Sequence, residues 1–377
     1  LTGAIECSNT GTTGEILKMK SATEMEWGTI ETGKWTGDTD ISFNGNVGIG
    51  TTEPKSLLDV NGTLQTTTLS SDNLKVGRDF SFSVENKLLA SDGAADDRFG
   101  YAVAISGNYA IVGTYEENSN RGAAYVFNVH TGTQLHKLVA SDGVATDEFG
   151  FSVGIDGNYV IVGAKLDDDK GSNSGSAYIF NVQSGTQLHK LVASDGATND
   201  YFGISVAISG NYAIVGSYFD DDKGSASGSA YIYNVQTGAE LHKLVASDGA
   251  TSDLFGHAVA ISGNYAIVGS YQDDDKGSKS GSAYIFNVQS GTQLHKLTAS
   301  DAASSDNFGS GVAISGNYAI VGAYANDDNG SASGSAYIFN VQSGTQLRKL
   351  TASDAQGGDY FGIFVAISGN YAIVSAY

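Results

Sequence analysis

The chain has 377 residues, including 50 glycines, one proline and one cysteine, and carries a formal charge of −21. That length accommodates one large domain and a small one, and the negative balance excludes nucleic acid and anionic membrane surfaces as primary partners. Cys7 has no second cysteine to pair with, and no run approaches the ~20 apolar residues that a membrane-spanning helix needs.

Residues 1–76 form the first region, rich in Thr, Gly, Ser and Asn. A stretch such as 63–70, with two leucines among threonines, has little apolar surface to bury alone. It gains order by winding with copies of itself, or else serves as a linker. Two phrases stand out: 14–27, from Gly14 to Trp27, and 46–54 followed by 58–62, from Asn46 to Gly62. They resemble stem motifs of viral and phage fibre proteins, phrases that some bacterial surface proteins also use. The resemblance implies a slender, β-rich, trimeric stem that carries a globular tip. The chain opens at Leu1 without a signal segment, so an upstream part is expected to have been removed.

From residue 77 onward one unit repeats. Its marker is a Phe-Gly pair, at Phe99, Phe149, Phe202, Phe255, Phe308 and Phe361, spaced by 50 and then four times by 53 residues. A fixed period of this size marks an array of supersecondary units that bury their faces against one another. Within the third unit, 204–209, 212–218, 229–235 and 240–246 alternate in the manner of strands. Ser209-Gly210-Asn211 and Gln236-Thr237-Gly238 are predicted tight turns. The connection 219–228 is polar and glycine-rich, which predicts an exposed loop. Four antiparallel strands per unit with no amphipathic helix predict an all-β fold, the blades of a β-propeller. The small residues of the first two strands are expected to relieve crowding at a central channel.

Six blades are the preferred number, with seven as the alternative. The sixth Phe-Gly hairpin ends at Tyr377 without an outer pair, while 80–91 lines up with the outer strands of the other units. The ring is therefore expected to close by pairing 80–90 beside 370–377. Phe-Gly, then Gly-Asn-Tyr-Ala-Ile-Val-Gly, an Asp-rich loop and Gly-Ser-Ala-Tyr-Ile-Phe together resemble the FG-GAP repeat, found in integrin α-subunit heads and many microbial surface proteins. Over 77–377 this resemblance implies a propeller in an extracellular, adhesive setting.

Acidic loops supply the candidate site. Asp167, Asp168, Asp169, Asp220, Asp221, Asp222, Asp273, Asp274, Asp275, Asp327 and Asp328 occupy equivalent positions, and the first unit has Glu116-Glu117-Asn118 instead. Clustered carboxylates suit calcium, a hard cation that takes 6–8 oxygens. The spacing departs from the alternating Asp-x-Asp-x-Asp-Gly of integrin calcium loops, and a solvated acidic rim is the alternative. Aspartates also recur seven residues and two residues before each Phe, from Asp92 and Asp97 in the first unit to Asp354 and Asp359 in the last. Such regularity predicts turn architecture.

His136, His189, His242 and His295 share one repeat position with Arg348, as outer-strand residues would. No unit breaks the pattern with a base, nucleophile and orienting group of its own, so no enzyme site is predicted. Tyr115, Tyr218, Tyr271 and Tyr324, with Lys165 at the same position, fall at strand ends suited to blade packing or ligand contact. The sequence therefore predicts a non-enzymatic surface or virion fibre whose head contacts a host glycan, a host protein or a neighbouring structural protein. A microbial cell-surface adhesin and a polysaccharide-acting propeller enzyme are the rivals.

Overall fold

The computed structural model describes residues 87–376, together with four short strands nearer the N-terminus. It divides into two compact units, Leu1–Ser83 and Val84–Tyr377, a boundary slightly later than the 76/77 division drawn from composition. In the first unit Glu15–Ser21 pairs antiparallel with Glu24–Thr29, placing Leu17 opposite Trp27. Val47–Ile49 runs parallel to Leu58–Val60. Both pairs coincide with the two phrases singled out in the sequence.

The second unit is the propeller. Five four-stranded antiparallel sheets follow in chain order, spanning 102–138, 149–191, 206–244, 259–297 and 308–350, and a sixth hairpin pairs Val365–Ser368 with Tyr371–Val374. In the third blade the strands are Val206–Ser209, Tyr212–Ser217, Ser229–Asn234 and Glu240–Leu244. Each strand pairs with the next in sequence.

Neighbouring blades explain why nearly every residue of the second strand is buried. Ala213 and Val215 face the second blade, joining Ile161, Ile179 and Leu191 around Phe202. Ile214, on the opposite face, joins Phe255, Val259 and Ile261 of the fourth blade. One strand thus serves two cores, and the alternation in its sequence marks two apolar faces instead of a wet and a dry one. The glycine of the second strand has a cause of its own, apart from any central crowding. A Cβ on Gly216 would stand 2.0 Å from the carbonyl oxygen of Gly256, so backbone meets backbone between blades.

The Phe-Gly pair staples one blade to the next. Phe202 is wholly buried, with its ring edge-on to Tyr231 and Tyr233 of its own blade at centroid distances of 5.4 and 5.9 Å. Its backbone bridges to Gly175 of the preceding blade. Gly203 then takes φ of +94°, which turns the chain into the first strand.

The ends of the array differ from its interior. Val103 and Ile105 of the first blade are 68% and 69% exposed, whereas Val206 and Ile208 of the third are 9% and 8% exposed. Phe364 and Ile373 of the sixth hairpin are 71% and 72% exposed. Phe364 also stands where the earlier units have Ser152, Ser205, Ala258 and Gly311. The pairing expected of 80–90 falls largely outside the described residues. Its described part, 87–90, is not in a strand. Leu88 and Ala90 nevertheless pack on Val112, Tyr125 and Phe127 of the first blade, as Leu138 and Ala140 pack into the core of the second.

Candidate functional site

The triple aspartates divide into three roles. In the third blade Asp220, only 4% exposed, follows the end of the second strand. Its Oδ1 accepts from Ser229 Oγ at 2.9 Å and from the Asp222 backbone N–H at 3.1 Å. Its Oδ2 accepts from Tyr231 Oη at 3.0 Å and Lys243 Nζ at 3.1 Å. Asp221 points elsewhere and braces the loop, accepting the Ala226 N–H at 2.7 Å. Asp222 is exposed and pairs with Lys243. The loop is therefore not uniformly solvent-facing, because its first carboxylate lies inside the blade.

A fourth carboxylate completes the arrangement. Asp195, seven residues before Phe202, accepts Tyr231 Oη at 2.9 Å and Lys243 Nζ at 2.6 Å. The regular upstream aspartates thus tie the connector between blades to the next blade's third and fourth strands. This adds to the turn role expected for them: Asp195 lies in the turn closed by the Gly196 N–H on the Ala193 carbonyl at 3.2 Å. The aspartates two residues before each Phe do make turns: Asp200 and Asp253 accept the N–H groups of Ala197 and Ala250, each at 2.7 Å.

The same cage recurs in four other blades. Lys190 meets Asp142 at 2.7 Å, Asp167 at 3.1 Å and Asp169 at 2.5 Å. Lys296 meets Asp248 at 2.7 Å and Asp273 at 3.0 Å, and pairs with Asp275 as well. In the fifth blade Lys349 holds Asp301 and Asp328, with Asn326 in place of the buried aspartate. In the first, Lys137 holds Asp92 and Glu117. Asp168, Asp274 and Asp327 repeat the bracing role of Asp221, each accepting a backbone N–H at 2.7 Å.

Electrostatics follow from this packing. Burial opposes charge on Asp195, but the hydrogen bonds from Lys243 and Tyr231 outweigh it and hold the carboxyl below its ordinary value. Burial likewise opposes the Lys243 ammonium, and its bonds to Asp195 and Asp222 raise its pKa nonetheless. Burial, then the charge of Asp220, drives the Tyr231 hydroxyl far up, so it stays a neutral donor. Asp200 and Asp253 behave oppositely: burial lifts each to about 6, with neighbouring carboxylates adding to the rise.

The carboxylates of Asp195, Asp220 and Asp222, and those of Asp248, Asp273 and Asp275, offer oxygens within 4.8 Å of one another, an arrangement that could hold a cation. The cation found among them is the lysine ammonium, whose three N–H groups match three carboxylates. Both oxygens of Asp195 and Asp220 and one oxygen of Asp222 already accept lysine, tyrosine, serine or backbone donors. With the lysine in place the residues do not fit a divalent ion.

Sequence reasoning missed the lysine, because each lies far from its partners along the chain. It singled out Tyr115, Tyr218 and Tyr271 but missed the rings that gather with them in two separate clusters along an aromatic rim. Tyr101, Tyr115 and Phe151 gather with centroids 4.5 to 5.4 Å apart, and Lys165 Nζ lies 3.5 Å above Phe151. Across the third and fourth blades Tyr201, Tyr218 and Phe219 cluster, and Tyr218 leads through His257 to Tyr271. Burial pushes the His257 pKa down and the Tyr218 hydroxyl up to about 12. The repeated histidines are structural: His136, His189, His242 and His295 each place Nε2 2.9–3.0 Å from a backbone oxygen of the next blade.

The FG-GAP repeat model matches residues 82–127, 133–180, 186–233, 239–286, 292–339 and 345–377, six units that together cover most of the chain. The chain belongs to the FG-GAP repeat family. No curated protein matches it. The Phe-Gly pairs that mark these FG-GAP units are the staples between blades. Among the described residues, no helix is long and apolar enough to cross a membrane.

Proposed function

We propose that this FG-GAP propeller is the contact head of an extracellular attachment protein, a fibre or spike of a virion or cell surface, and that it carries no catalytic activity. The observation that supports the reading is where the units differ. Strands, turns and cages are near copies, yet across the first five units the positions flanking the Phe-Gly pair change from blade to blade, Arg98 and Tyr101, Glu148 and Phe151, Tyr201 and Ile204, Leu254 and His257, Asn307 and Ser310, and the sixth returns to tyrosine and isoleucine as Tyr360 and Ile363. Uniform residues build the scaffold, and the varied ones that reach the surface, such as Tyr101 at 51% exposed, suit a ligand that lacks the scaffold's symmetry. Half-exposed rings with hydroxyl tips suit the faces and edges of sugars, so a host glycan is the first candidate partner, ahead of a host protein or a neighbouring structural protein.

The first unit's two strand pairs are where stem-like phrases lie, and a trimeric stem over that unit completes the reading. Two measurements on the full chain test it. Sedimentation should give the mass of three chains, and a printed glycan array should show retention on a defined subset of glycans. A monomer would instead favour a cellular adhesin. Release of shortened sugars from a polysaccharide would favour the enzyme reading.

A further inference from the structure

We infer that the blades carry their cation covalently: the lysine of the fourth strand replaces calcium in the acidic cages, so this propeller holds its shape without divalent metal. The comparison among blades carries the argument. Lysine is the constant member, as Lys137, Lys190, Lys243, Lys296 and Lys349. The carboxylates vary around it, three in the second to fourth blades and two in the first and fifth, where Asn326 stands for the buried aspartate. Calcium takes amide oxygens as well as carboxylates, but its affinity falls as the ligand charge count falls. A lysine cage tolerates the loss of a carboxylate, because an ammonium needs acceptors and a neutral amide oxygen is one.

Geometry agrees with that ordering. Lys243 reaches the cage from Glu240–Leu244, with its side chain 19% exposed and its Nζ 5.4 Å from the Tyr231 ring centre. It engages the two cage carboxylates of its own loop and the one from the preceding connector. Each lysine therefore does the job of a bridging ion, joining a blade to the segment that enters it. Three carboxylates around one ammonium leave excess negative charge, which the tyrosine hydroxyl, serine hydroxyl and backbone donors offset through hydrogen bonds.

Calorimetry of the full chain tests this. The melting temperature should be the same in excess calcium and in excess chelator, and Lys243→Met, which keeps the stem but removes the charge, should lower it by several degrees. Lys137→Met, in the more exposed first cage, provides a second variant should Lys243→Met fail to fold, and should lower it too. A saturable rise of the wild-type melting temperature with calcium would overturn the inference. So would a lysine variant that melts with the wild type.

Discussion

At the residue scale, two sets of aspartates with the same spacing regularity have opposite electrostatics. Those in the cages, such as Asp195 and Asp248, have pKa values held below the ordinary 3.8. Their stabilisation is present above 3.8 and is lost as pH falls through the folded value. Asp253 is raised to about 6, chiefly by burial. Its favourable contribution is present below 3.8 and is lost as pH rises through about 6, where the folded state must carry a buried charge. Asp253→Asn keeps an acceptor for the Ala250 N–H and removes that charge. Denaturant melts should show a gain of roughly 1–2 kcal/mol near pH 8 that disappears near pH 3. A gain of equal size at both pH values would place the effect outside ionisation. The sequence made the turn aspartates legible, because their partner lies three residues away. It hid the cages, because Lys243 is 23 residues from Asp220 and 48 from Asp195.

At the element scale, most strand bounds were visible in the sequence, since turns and apolar runs are local. The first strand of the third blade begins later than its pattern suggests, at Val206 instead of residue 204. Gly203 turns the chain at φ +94°, and the Ser205 carbonyl is taken by the Gly216 N–H at 2.9 Å. What the pattern could not reveal is which glycines serve turns and which serve contacts between blades. Gly210 has φ of +56° and open space around a built Cβ, so Gly210→Ala should cost about 1 kcal/mol from backbone strain alone. Gly228 combines φ of +83° with a Cβ that would stand 2.0 Å from the Phe255 carbonyl oxygen. Gly228→Ala should cost roughly 3 kcal/mol or more, because the staple itself must shift. Urea midpoints of the two variants check the order, and equal losses would contradict the staple.

At the scale of the whole molecule, repetition and its exceptions separate scaffold from surface. The family, the blade and the strand order follow from what recurs, and a single sequence displays recurrence six times over. The surface proposed for contact mixes recurring tyrosines with residues that change from blade to blade, and only folding shows that Tyr218, Phe219, His257 and Tyr271 lie together. The acidic loops were half legible for the same reason: their carboxylates recur visibly, whereas the lysine that meets them comes from another strand. On the proposed reading the aromatic rim binds while the caged blades only support it. The most direct measurement is the affinity of the full chain and of Tyr218→Ala/Phe219→Ala for a glycan retained on the array, with melting temperatures recorded alongside. The double variant should lose affinity at least roughly tenfold, as expected for removing central aromatic contacts, with the melting transition largely in place. Unchanged affinity in a folded double variant would contradict that reading.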